Sequence, residues 1–123
     1  MIQPDLCHCG GLYEAKKIAA AAETYYMGVA PHNPLGPIAN AAALHFALST
    51  PNFLIQEDML TDVPWRWDVV KHGLKMENGY WSKSESPGLG IEVNEVEAAK
   101  HPFKQEARAT AVARAADGAI LDW

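Results

Sequence analysis

The chain has 123 residues, 49% of them apolar and 20% charged, with a net charge of −5, which fits one globular domain with a real hydrophobic core. Its ten Lys and Arg residues are scattered and no groove-binding motif occurs, which argues against nucleic acid or an anionic membrane as a partner. Apolar runs fall short of the roughly 20 residues that span a bilayer, and the amino terminus carries no signal-like pattern, so a cytoplasmic setting is expected.

In chain order, "MIQPDL" is a short apolar segment, and Gly10 and Gly11 turn it into "LYEAKKIAAAAETY". There Leu12, Ala15, Ile18, Ala19 and Ala22 recur at helical spacing, with Glu14, Lys17 and Glu23 off that face, the pattern of an amphipathic helix. "YMGVAP" supplies a second strand. After a proline-rich loop, "IANAAALHFALS" sets Ala41, Leu44, His45 and Leu48 on one helical face, with Pro37 in the first turn. "NFLIQED" is a third strand. Strands alternating with helices of this length predict βα steps on a parallel sheet, an α/β fold.

From residue 61 onward the character changes. Asn78-Gly79 in "KMENGYWSK" is a hairpin signal, "SPGLG" is a turn, and Asn94 with Glu97 forms a capping pair for the short helix "EVEAAK". The Ala- and Arg-rich stretch 104–118 is compatible with helix. The expected division is a parallel βα portion over 1–60 and an irregular tail over 61–123.

Strand-end residues carry the chemistry of parallel α/β sheets, because the loops there open on one common side. Asp5 ends the first strand, His32 the second and Glu57 the third, with 27 residues between the first two and 25 between the last two. Alternation places Gly28, Ala30 and His32 on one face of the second strand, opposite Met27 and Val29, and puts Gln3 with Asp5 on the first. On the third, Glu57 aligns with Phe53 and Ile55, while Gln56 and Asp58 take the other side. Two readings of Asp5 and His32 stand at this point. A carboxylate can hold an imidazole in one tautomer and leave the other nitrogen ready for proton transfer; equally, each side chain can simply cap its own loop.

Cys7 and Cys9, split only by His8, are poor partners for a structural disulfide and lack the second ligand pair that a structural zinc needs. His45 on an apolar helix face reads as a packed or rim residue. His72 and His101, in polar context, are expected to be solvated, and Trp65 and Trp67 to pack.

"IQPDLCHCGG", "VAPHNPLGPIANAA", "FLIQED" and "SPGLGIEVNE", in this order and followed by "DGAILDW", resemble the carboxyl-terminal part of sugar-acid dehydratases of the enolase superfamily, of the mandelate racemase/muconate lactonizing enzyme kind and especially the D-galactonate dehydratase group. The resemblance implies the last part of a TIM barrel, about three parallel βα steps equivalent to strands six to eight. It implies His32 as general base, Asp5 as its orienting partner and Glu57 as the hydrogen-bonding partner of an enediolate oxygen, with Gln3 and Asn33 near the substrate. It also implies Mg²⁺, which in the family binds the substrate carboxylate and is held by acidic residues of earlier barrel strands that have no counterpart here. A full barrel takes roughly 250 residues. The expectation is therefore an enzyme portion that is inactive alone, with a sugar acid as substrate of the whole, and with open sheet edges that demand self-association or a complementing amino-terminal portion. A non-catalytic half-barrel assembly module, or part of a racemising or lactonising relative, are the competing expectations.

Overall fold

The computed structural model describes residues 1–60, 62–104 and 115–118; most of the Ala- and Arg-rich stretch 104–118 lies outside them. Two helices dominate, α1 (Gly11–Glu23) and α2 (Pro37–Leu48). Ahead of each runs an extended segment, and a third follows α2. The three lie side by side in parallel, with Val29 at the centre bridging Ile2 on one side and Phe53 on the other.

The strands are shorter than their hydrophobic runs suggested, and proline is the reason. Ile2 N–H donates to Gly28 O, and Ala30 N–H returns to Ile2 O, each at 3.0 Å; the next bond of a parallel ladder would need an N–H at Pro4, which has none. On the other side Val29 N–H bonds Asn52 O and Leu54 N–H bonds Val29 O, each at 2.9 Å. There the next donor would be Pro31. Both ladders therefore stop just where the polar residues begin.

Helix α1 buries Ala15, Ala19 and Ala22, a stripe of methyl groups that lets the helix approach the sheet closely. They join Leu6, Val29 and Phe46 in one core, with Ile2 and Met27 at its margin. Leu12, expected on the same face, is exposed. Glu14 sits in the first turn, favourable toward the helix dipole, and pairs with Lys17 at 2.7 Å.

Helix α2 starts with Pro37 at its first position and is buried on two sides. Phe46 faces the α1 core, whereas Ala41 and Leu44 meet Leu74, Trp81, Leu89 and Ile91. The tail packs there. It contains two antiparallel pairs: β1 (Val70–His72) with β4 (Ile91–Val93), and β2 (Lys75–Glu77) with β3 (Tyr80–Ser82). Asn78 and Gly79 turn the hairpin with φ of 53° and 82°, the left-handed pair that a two-residue turn requires. The pairing of β1 with β4 is a feature that alternation did not reveal. Helix α3 (Glu95–Ala98) is capped by Asn94, whose side chain accepts from Glu97 N–H. The reciprocal half of the capping box is absent: Asn94 N–H goes to Val69 O, and the Glu97 carboxylate to Lys100.

His101 departs from expectation. It is half-buried and stacked on Trp65, ring centroids 4.0 Å apart, because the chain after α3 folds back over the tryptophan. His72 is exposed but lies against Trp67 at 4.7 Å. Among the described residues no helix is long and apolar enough to cross a membrane.

Candidate active site

Where the first strand ends, Asp5 is buried and fixed from several directions. Its Oδ1 accepts from Cys7 N–H at 2.8 Å, the turn that an Asp side chain makes with its own backbone two residues on. Its backbone carbonyl accepts from His8 and Cys9 N–H. That leaves Oδ2, which lies 2.9 Å from Nδ1 of His32. His8 Nε2 stands off at 3.9 Å on a largely exposed side chain.

His32 extends from a buried Pro31, and its own side chain is 49% exposed. An imidazole that gives its Nδ1 proton to a carboxylate carries its free lone pair on Nε2. The exposed nitrogen is thus the basic one, and the buried one is spoken for.

Glu57 reaches the same place by a different route. Its Oε2 accepts the backbone N–H of Asn33 at 2.9 Å, so the carboxylate is tied to the residue next to the base. Alternation did not predict this. Phe53 pairs beside Val29, but past Leu54 no ladder bond continues, and strict alternation stops governing where side chains point.

The other sequence-expected residues divide. Gln3 is exposed on the strand that carries Asp5. Asn33 is brought beside Glu57, yet its side chain is only 2% exposed and its amide donates to Asn40 Oδ1 at 3.1 Å and to Glu57 O at 3.3 Å. Its amide is thus engaged within the protein.

Several residues of this region escaped sequence reasoning. Asn40 on α2 is 1% exposed and accepts from both Asn33 and Gln56; an amide set among the alanines of "IANAAAL" was its only signal. Arg66, 3% exposed, forks onto Asp62 at 3.0 and 3.1 Å and also donates to Leu35 O, in the loop that follows His32. Asp58 accepts from Trp81 Nε1 at 2.6 Å. Burial pushes the Asp58 carboxyl above its ordinary range, and Trp81, Arg66 and Asn40 oppose that rise only in part. Burial, then the charge of Asp5 and the neighbouring Cys9, also push the Cys7 thiol up.

The donor set does not fit a divalent cation. Among the described residues no three His, Cys, Asp or Glu side chains converge in a way that would hold a metal. An apolar groove of about 590 Å³ lies nearby, lined by Cys7, His8, Leu35, Trp65, Val70 and His101, but by none of Asp5, His32 or Glu57.

The sequence profile of the enolase C-terminal domain-like family matches residues 1–97. The chain belongs to that family. This enolase C-terminal domain-like chain is 40% identical, over its whole length, to the D-galactonate dehydratase of Cronobacter sakazakii, of which it spans 34%. It superposes with a TM-score of 0.84 on an enolase from Pantoea ananatis solved with bound D-gluconate and Mg, at 35% identity, covering 97% of this chain and 29% of that one. The 3,6-anhydro-D-galactonate cycloisomerase of Zobellia galactanivorans is similar at 36% identity and a TM-score of 0.75, covering 83% and 29%. The family member described here therefore spans about a third of the length of such relatives.

Proposed function

We propose that the chain supplies the proton-abstracting part of a sugar-acid dehydratase of the D-galactonate type, its three parallel segments equivalent to the sixth to eighth strands of the barrel. On this reading residues 1–60 form the barrel portion and residues 61–123 a tail packed on it. The observation that carries the reading is the 2.9 Å contact between His32 Nδ1 and Asp5 Oδ2, with Nε2 left open.

His32 Nε2 takes the proton from the carbon next to the substrate carboxylate. The C–H bond breaks, N–H forms, and the electron pair moves onto the carboxylate as an enediolate. Asp5 holds the ring through Nδ1 and stabilises the imidazolium that results. Glu57, its Oε2 engaged by the Asn33 backbone N–H, is the group that hydrogen-bonds the enediolate oxygen. The C–O bond to the neighbouring hydroxyl then breaks as that oxygen takes a proton from a general acid outside the described residues, so that water leaves and an enol remains, which becomes a 2-keto-3-deoxy acid. Mg²⁺, suggested by the gluconate- and Mg-bound enolase, would find its ligands outside the described residues.

A second reading has support in the likeness to a cycloisomerase. On that reading proton abstraction by His32 would precede ring opening or closure in place of dehydration. One experiment tests the base in either case. The chain is mixed with the earlier barrel strands and capping domain of a D-galactonate dehydratase and with Mg²⁺, and 2-keto-acid formation from D-galactonate is compared with that of His32→Asn. Removing the general base is expected to cost at least about a hundredfold; equal rates would refute the assignment.

A further inference from the structure

The groups around the strand ends form one network whose buried hub performs no chemistry. Asn40 sits on α2 at 1% exposure, where an unpaired amide would be costly. Its Oδ1 receives Asn33 Nδ2 and Gln56 Nε2. Asn33 stands next to His32, and Gln56 next to Glu57. The Asn33 amide in turn holds the Glu57 carbonyl, and the Asn33 backbone N–H holds the Glu57 carboxylate. The Asn40 side chain also favours the ionised form of Asp58, on the other side of Glu57.

Among the described residues one other side chain ties the two strand ends: Arg66, which donates to Leu35 O in the loop after His32 and pairs with Asp62, with Asp58 at 3.8 Å; it acts beyond Glu57, and the stretch between Leu54 and Glu57 is left to the amide network. The backbone ladder between them stops at Leu54 N–H, because Pro31 offers no donor. From there to Glu57 the relative placement of the two segments rests on side chains. We infer that Asn40 is a positioning residue: through Asn33 and Gln56 it substitutes for the missing ladder and sets Glu57 against the loop that carries His32. This rests on the assignment of His32 and Glu57 given above, but its test does not depend on turnover.

The readout is the Asn33 backbone amide, followed by NMR in the full chain. Because this N–H donates to Glu57 Oε2, its proton shift steps as Glu57 titrates; Glu57→Gln removes the step and so identifies it. Asn40→Leu, of similar size but without hydrogen-bonding groups, is expected to abolish the step. Hydrogen exchange at Asn33 N–H should quicken about tenfold while that of Leu54 N–H and of the α1 amides stays unchanged. Asn40→Asp keeps the acceptor oxygen and is expected to keep the step. Should the leucine variant fail to fold, Asn40→Ser, too short to reach both donors, is measured in its place.

An unaltered step in the leucine or serine variant overturns the inference. So does a uniform loss of protection across Leu54 and α1, which would make Asn40 a general stability residue. Failure of the catalytic assignment looks different: His32→Asn then leaves turnover unchanged while the Asn33 step still depends on Asn40.

Discussion

Asp5 divides its polar groups between two tasks, with Oδ1 and the carbonyl closing the Cys7–Cys9 turn and Oδ2 meeting His32. A carboxylate locked by its own backbone cannot follow a moving ring, so the imidazole is held to one orientation. In long-range ¹⁵N spectra the neutral form of the His32 ring should carry its proton on Nδ1 and be bare on Nε2, and Asp5→Ala should mix the tautomers. A mixed population in the unmodified chain would contradict the dyad. The same carboxylate raises the Cys7 thiol, after burial and before Cys9. Since only the thiolate reacts, Cys7 should be alkylated more slowly than a free cysteine at mildly alkaline pH, and Asp5→Asn should recover part of the rate. Asp58 yields the opposite kind of test. Its native carboxyl keeps a proton to higher pH than the unfolded chain's, ordinarily 3.8. Folding therefore takes up a proton in that interval, and stability falls as pH rises from 3.8 through the native value. Asp58→Asn should flatten this fall in urea midpoints measured across the acid range.

Helix α2 joins the two cores, and its central side chain is the most sensitive element-level probe. Phe46 is fully buried among Leu6, Val29 and the α1 alanines, so Phe46→Ala should cost about 3–5 kcal/mol in chemical denaturation. Leu48, placed by periodicity on the buried face, is 61% exposed, and Leu48→Ala should cost under about 0.5 kcal/mol. Periodicity made both helices legible because a 3.6-residue repeat is local and needs no partner. The hairpin was legible for the same reason, since Asn78 and Gly79 specify their own backbone angles. What the sequence concealed depends on partners distant in the chain: the β1–β4 pairing, the second buried face of α2, and the stacking of His101 on Trp65. The strand-end residues fell between these cases. Asp5 and His32 were visible as ends of apolar segments, whereas the route of Glu57 was not, because the prolines that stop the ladder also end the alternation that would have oriented it.

At the scale of the molecule, the parallel layer has Val29 at its centre, and among the described residues no strand pairs beyond Ile2 on one side or beyond Phe53 on the other. The segment at the second edge carries Leu54 and Ile55, 61% and 65% exposed, with Met59 exposed just beyond. Such an edge combines free backbone donors and acceptors with apolar side chains, the two ingredients of strand addition. Leu54 also lies over Gly28, where an added Cβ would come 2.3 Å from its Cδ1, yet the rest of its side chain stays uncovered. Both features favour covering by more chain, whether a second copy or the earlier barrel strands of a relative. The chain by itself should therefore associate as its concentration rises, and Leu54→Lys with Ile55→Lys should shift it toward monomer without loss of helix content. Sedimentation velocity with circular dichroism reads both. Added barrel strands from a D-galactonate dehydratase should compete with self-association, since they seek the same edge. A chain that stays monomeric at every concentration, and remains so with those strands present, would mean that the exposed edge is not a docking surface.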